Sequence, residues 1–182
     1  EKKYQQPIWP GGASGVTIGI GYDCGYCTET ELTNAWSPYI SPQDLALLKT
    51  VRGKTSGAAK TALPSVKGVK IPYSIAAKVF YQTTLPAYAR QVKRIYPGVE
   101  KLPPDAQGAL LSLVYNRGAD INPGKSSRKE MFNIAALVAA GDLNGIAQQI
   151  RNMKRLWPDM KGLRDRRDKE AEMVENASFN IL

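Results

Sequence analysis

The stretch Trp9-Pro10-Gly11-Gly12-Ala13-Ser14-Gly15-Val16-Thr17-Ile18-Gly19-Ile20-Gly21-Tyr22-Asp23-Cys24-Gly25-Tyr26 decides how this sequence is read. Val16, Ile18 and Ile20 alternate with small or polar residues, the period of a strand that buries one face. The interspersed glycines permit tight turns and a close approach of backbone to other groups. The pattern predicts a hairpin over residues 13–27. Its polar side chains are few: Ser14, Thr17, Tyr22 and Asp23. Across a tight hairpin the Thr17 hydroxyl and the Asp23 carboxylate face one space and hold one water, as the floor of a cleft. A glycine-rich hairpin with an ordinary surface aspartate accounts for the same letters.

Outward from the hairpin the chain reads as helices. Residues 1–8 read as a helix tail or linker ending at Pro7. Thr28 and Glu31 have capping-box spacing and open a short helix that reaches Trp36. Ser41 caps the next, with Pro42 in its first turn and Leu45, Leu48 and Val51 on its apolar face. Residues 55–62 suit a helix that stops before Pro64, and residues 66–71 a loop or short edge strand. A long helix opens at Pro72, with Ser74 a possible cap, and Pro86 should kink or interrupt it. Pro103-Pro104-Asp105 starts a helix whose Ala109, Leu110, Leu113 and Val114 repeat at helical spacing, apolar on most sides as a central helix would be. Three more helices are expected at about 128–140, 142–157 and 162–177. The fold class expected is α+β, mostly α. It has two lobes around a cleft, one small antiparallel β-hairpin sheet and a helical C-terminal lobe over residues 72–182.

The chain has 182 residues, 25 Lys and Arg against 16 Asp and Glu, a net charge of +9 and no histidine. Its length suits one domain over residues 1–182, or one domain with two lobes, able to bury a core without metals or disulfides. It starts at Glu1 rather than Met and reads as part of a longer chain. No run of apolar residues is long enough to span a membrane. The charge favours an anionic partner: nucleic acid, lipid headgroups or the bacterial wall. Basic clusters such as Lys2-Lys3 and Arg164, Arg166 and Arg167 read as solvated faces. With no histidine, acid–base chemistry falls to carboxylates, Tyr, Lys or Cys. Cys24 and Cys27 alone make a poor zinc site, and no metal is expected. The pair reads as unpaired thiols, a local disulfide or a redox motif, though the hairpin does not fit the βαβ setting of the last.

Thr17-Ile18-Gly19-Ile20-Gly21 resembles a signature of phage-type lysozymes. The fuller run of Ser14 to Gly19, with Gly21-Tyr22-Asp23 and Gly25, is similar to the pesticin-type branch of bacteriocin, endolysin and type VI secretion effector domains. Gln107-Gly108-Ala109-Leu110-Leu111-Ser112-Leu113-Val114-Tyr115-Asn116-Arg117-Gly118 resembles the cleft-lining helix of these families. Gly162-Leu163-Arg164-Asp165-Arg166-Arg167 with Glu170-Ala171 resembles their C-terminal helix. The resemblance implies a lysozyme-like muramidase domain with the catalytic hairpin at residues 9–27. It implies cleavage of the β-1,4 bond between N-acetylmuramic acid and N-acetylglucosamine, with inversion and with no cofactor, and secretion or delivery into the bacterial periplasm. The resemblance implies peptidoglycan glycan strands as substrate and a cognate immunity protein as partner. A monomer is expected, with no nucleic acid and no membrane insertion.

Glycosidic hydrolysis needs a proton donor and a second group that activates water. The resemblance gives Asp23 and Thr17 the water and a Glu ahead of the hairpin the proton. Only Glu1 precedes the hairpin here, so the acid is Glu1 or lies upstream of it. Glu29 and Glu31 read better as helix-start residues. Tyr22, Tyr115 and Asn116 are the expected substrate-binding residues, Asn116 because its amide both donates and accepts. Trp157 and Arg164 read as packing and surface charge. Two other classes stay open: a non-catalytic peptidoglycan-binding module, and a basic nucleic-acid-binding domain, for which no signature is present.

Overall fold

The computed structural model describes residues 4–177; Glu1, and with it the proton-donor expectation, lies outside the described residues. The chain divides after Pro86 into two compact units.

In the first unit, β1 (Tyr4–Gln5) is followed by the hairpin of β2 (Thr17–Ile18) and β3 (Tyr22–Asp23), then α1 (Glu29–Trp36), α2 (Pro42–Val51) and α3 (Ser56–Ala62). The capping box at Thr28 forms, and the Ser41 hydroxyl accepts from the Asp44 amide, as the sequence predicts. β1 corrects the reading of residues 1–8 as helix tail or linker: it pairs antiparallel with β4 (Ile71–Pro72). That partner lies far along the chain, so no local pattern announces it.

In the hairpin, Thr17 pairs with Asp23 and Ile18 with Tyr22. The intervening turn needs left-handed backbone at Gly19 (φ +55°) and Gly21 (φ +68°), conformations that a side chain disfavours. Ile8 adds a further bridge on the outer side of Thr17, with hydrogen bonds of 2.8 and 2.9 Å. The core of this unit is Val16, Ile18, Leu32, Trp36, Leu48, Val51, Ile71 and Val79 with their neighbours.

α4 (Tyr73–Val79) runs through a wide π turn, Phe80–Thr84, into α5 (Leu85–Ile95). The Leu85 amide donates to the Phe80 carbonyl, five residues back. This is how the helix meets Pro86, which lacks an N–H and crowds the carbonyl four residues before it. Pro72 itself caps α4, with no side-chain cap bond, so Ser74 is not the cap.

The second unit holds the rest of α5, then α6 (Pro104–Arg117), α7 (Lys129–Ala140), α8 (Leu143–Asn152) and α9 (Lys161–Ala177). Its core joins Leu110, Leu113 and Val114 of α6 to Met131, Ile134, Ile146, Ile150, Ala171 and Val174. The fold is mostly α with small antiparallel sheets, the α+β class expected.

α9 carries a correction. Arg167 is not part of a solvated face: it is fully buried with Glu170. Its Nε stands 2.8 Å from Glu170 Oε2, and its Nη2 donates to Oε1 at 2.9 Å. Arg166 and Ser112 also donate to Oε1, at 3.1 and 2.6 Å. Residues 167, 170, 171, 174 and 177 share one helical face, which is the buried one.

Candidate functional site

The hairpin brings Thr17 and Asp23 together as directly opposed residues of an antiparallel pair, whose side chains share a face. Asp23 is half-buried, and backbone amides hold its carboxylate. Gly15 N–H donates to both oxygens at 3.1 Å, and Gly25 N–H donates to Oδ1 at 2.8 Å. Oδ1 thus takes two bonds and Oδ2 one, shared, which leaves Oδ2 room to accept from a water or a sugar hydroxyl. Burial pushes the Asp23 carboxyl above its ordinary value, while the Gly25 and Gly15 amides pull the other way.

The identity of residue 15 follows from this contact. A Cβ there would lie 2.3 Å from Asp23 Oδ1 and 2.4 Å from the Gly25 nitrogen. The surrounding loop is tied down as well. The Trp9 indole donates to the Ser14 carbonyl at 3.0 Å, and the Tyr26 hydroxyl to the Ala13 carbonyl at 2.7 Å. The Ser56 amide donates to the Ser14 carbonyl at 2.9 Å. Ser56 has a φ of +53°, alone among the described non-glycine residues in the left-handed region. Such strain marks a position that its surroundings impose. Sequence reasoning missed Trp9, Tyr26 and Ser56 as supports, because their bonds go to backbone carbonyls and leave no residue pattern.

Thr17 is buried rather than open, and its hydroxyl donates weakly to the Gly15 carbonyl at 3.4 Å. Its side chain and that of Asp23 therefore both close on Gly15. Tyr22 packs edge-on against Trp36 with ring centroids 5.5 Å apart. Its hydroxyl hydrogen-bonds to Cys27, and burial raises its pKa. Glu29 pairs with Lys49 at 2.9 Å, and Glu31 closes the capping box with Thr28; both serve the start of α1.

In the second unit, Tyr115 and Asn116 occupy the C-terminal end of α6. Tyr115 is half-buried, its ring edge-on to Tyr88 at 4.9 Å, and burial pushes its phenol up to about 12. Asn116 is exposed. Trp157 lies under the guanidinium groups of Arg117 at 4.8 Å and Arg167 at 5.7 Å, a cation–π arrangement. Arg164 is exposed and donates to the Pro158 carbonyl.

Among the described residues no group of three His, Cys, Asp or Glu is gathered to hold a metal. No helix among them is long and apolar enough to cross a membrane.

No curated protein matches the chain. The phage lysozyme family matches residues 39–170, well over half of the chain. The matched span takes in the α6 block and α9 as far as Glu170, and begins after the glycine hairpin. The family's enzymes are glycoside hydrolases of peptidoglycan, acting on the cell wall. By that match the chain belongs to the phage lysozyme family.

Proposed function

We propose that this domain, residues 1–182, is a muramidase of the pesticin-like branch. It hydrolyses the β-1,4 bond between N-acetylmuramic acid and N-acetylglucosamine with inversion. Asp23 orients and activates the attacking water through Oδ2, and Thr17 fixes the hairpin register that aims it. A Glu at residue 1 or upstream of it supplies the proton, and Tyr22, Tyr115 and Asn116 contact the glycan. The observation that carries this reading is the half-buried Asp23 carboxylate, held by two glycine amides, with an oxygen still able to accept. A group fixed in this way acts on water without first reorganising. The same reading makes the protein a monomer acting on walls from outside the cell or in the periplasm. Bacteriocin, endolysin and type VI effector roles, and a cognate immunity protein, all fit such an activity.

A non-catalytic wall-binding module is the second reading. Asp23 favours it in one respect, since its three amide bonds also serve to hold the hairpin shut. Asp23→Asn separates the two. The amide keeps the Oδ1 acceptor for both glycines and loses the charge. Release of reducing sugars from purified peptidoglycan should fall by at least about two orders of magnitude, with the melting temperature nearly unchanged. Anomer-resolved NMR of the first product reports inversion. A chain that includes the segment upstream of Glu1, binds peptidoglycan and releases no sugar would establish the binding module instead.

A further inference from the structure

Beside Asp23 lies a pair of thiols that the proposed hydrolysis leaves unused. Cys24 is fully buried, Cys27 is half-buried, and no bond joins them. The Cys27 thiol donates to the Cys24 carbonyl at 3.6 Å. The Cys24 thiol and the Tyr22 hydroxyl lie near enough to the Cys27 sulfur to bear on its charge. The Cys27 sulfur thus lies against the Cys24 backbone within a single turn, and a disulfide between the two would close at an S–S separation of about 2.05 Å. Cys24 is the fixed partner, since its amide donates to the Val16 carbonyl at 2.9 Å and its carbonyl accepts from Gly53 at 3.1 Å. Cys27 lies at the outer end of the turn, just ahead of the Thr28 cap of α1.

We propose that Cys24 and Cys27 are a dithiol–disulfide couple, with Cys27 the attacking thiol, Cys24 the resolving thiol and a low-molecular-weight disulfide the oxidant. The Cys27 thiolate attacks one sulfur of the oxidant and breaks its S–S bond. One small thiolate leaves and takes up the proton that Cys27 gave to solvent. Cys24 then loses its proton and attacks the Cys27 sulfur, which expels the second small thiol. The protein loses two electrons and two protons, and one disulfide becomes two thiols. The local environment sorts the roles. Cys24 and Tyr22 hold the Cys27 thiol below the ordinary value, and Cys24, beside it and buried, is pushed up. Enzymes that work on cell walls meet oxidising surroundings, where such bonds persist. The ring so closed contains Gly25, whose amide holds Asp23, so the bond staples the turn that carries the carboxylate.

The test uses the full chain, oxidised glutathione and mass spectrometry before and after alkylation. Wild type should lose two hydrogens, retain no glutathione and lose both alkylatable thiols, all reversed by dithiothreitol. Cys24→Ser should stop at a stable glutathione adduct on Cys27, and Cys27→Ser should resist the reagent. The melting temperature of oxidised wild type should rise, a gain that Cys27→Ser lacks. Peptide mapping of wild type decides the matter even if a variant fails to fold. A wild-type protein that keeps its glutathione, pairs these cysteines between chains or leaves Cys27 untouched overturns the proposal. The readouts do not depend on hydrolysis, so the couple stands or falls on thiol chemistry alone, whatever the outcome of the hydrolysis test.

Discussion

At the scale of the residue, Asp23 is the balance of two opposed effects. Burial favours its neutral form and the Gly15 and Gly25 amides favour the anion, with burial the larger. Its folded pKa is therefore raised above 3.8. A raised carboxyl contributes stability below its unfolded pKa and loses it as pH rises through the folded value. The ionised form needed to activate water is thus stabilised less than an exposed aspartate would be. The acid limb of kcat/KM against pH should accordingly lie above the ordinary aspartate value. A limb at or below that value would assign it to another group. Gly15→Ala tests the contact from the other side. Its Cβ would overlap the Asp23 carboxylate and the Gly25 backbone, and backbone cannot yield as a flexible side chain does. We expect destabilisation of about 1–3 kcal/mol, read by denaturant unfolding, together with loss of hydrolysis. Full activity in that variant would mean that the amide cradle does not position Asp23.

At the scale of the element, α9 shows how a helix buries charge. Glu170 receives Ser112, Arg166 and Arg167, and Arg167 has no exposure to water. Glu170→Gln would keep the shape and leave the buried guanidinium without its counter-charge. Breaking one side of such a pair costs about 3–5 kcal/mol, so chemical denaturation should show a large loss. Replacing both partners, Arg167→Met with Glu170→Leu, should recover much of it. A small effect of Glu170→Gln alone would mean that water reaches Arg167. The α4–α5 junction shows a different response to a difficult residue. Pro86 does not end the helix; the preceding turn widens to a π turn and carries the chain past it.

At the scale of the whole molecule, the net charge of +9 acts on encounter with an anionic wall. Raising salt from about 0.05 to 0.2 M shortens the Debye length to below 10 Å. Hydrolysis of intact walls should then fall several-fold, while cleavage of a short neutral glycan should change little. Equal salt dependence on both substrates would mean that the charge does not steer encounter. The expected site residues are spread over the chain. Thr17, Tyr22 and Asp23 belong to the first compact unit, and Tyr115 and Asn116 to the second.

Much of this was legible in the sequence where the physics is local. Thr28 with Glu31, and Ser41 with Pro42, mark helix starts because a cap is satisfied within three residues. The period of Ala109, Leu110, Leu113 and Val114 marks a buried helix because burial repeats with the helical turn. The glycines of residues 9–26 with Thr17 and Asp23 mark a hairpin, because few other residues allow the positive φ of its turn. Tertiary structure alone decided the rest, where the partner is distant in sequence. Pairing of β1 with Ile71–Pro72 depends on a strand more than sixty residues away. The burial of Arg167 depends on Glu170 facing it and on Ser112 of α6 bonding to that carboxylate. The hold on Asp23 depends on amides, and every residue but proline carries one, so no letter of the sequence records where an amide points.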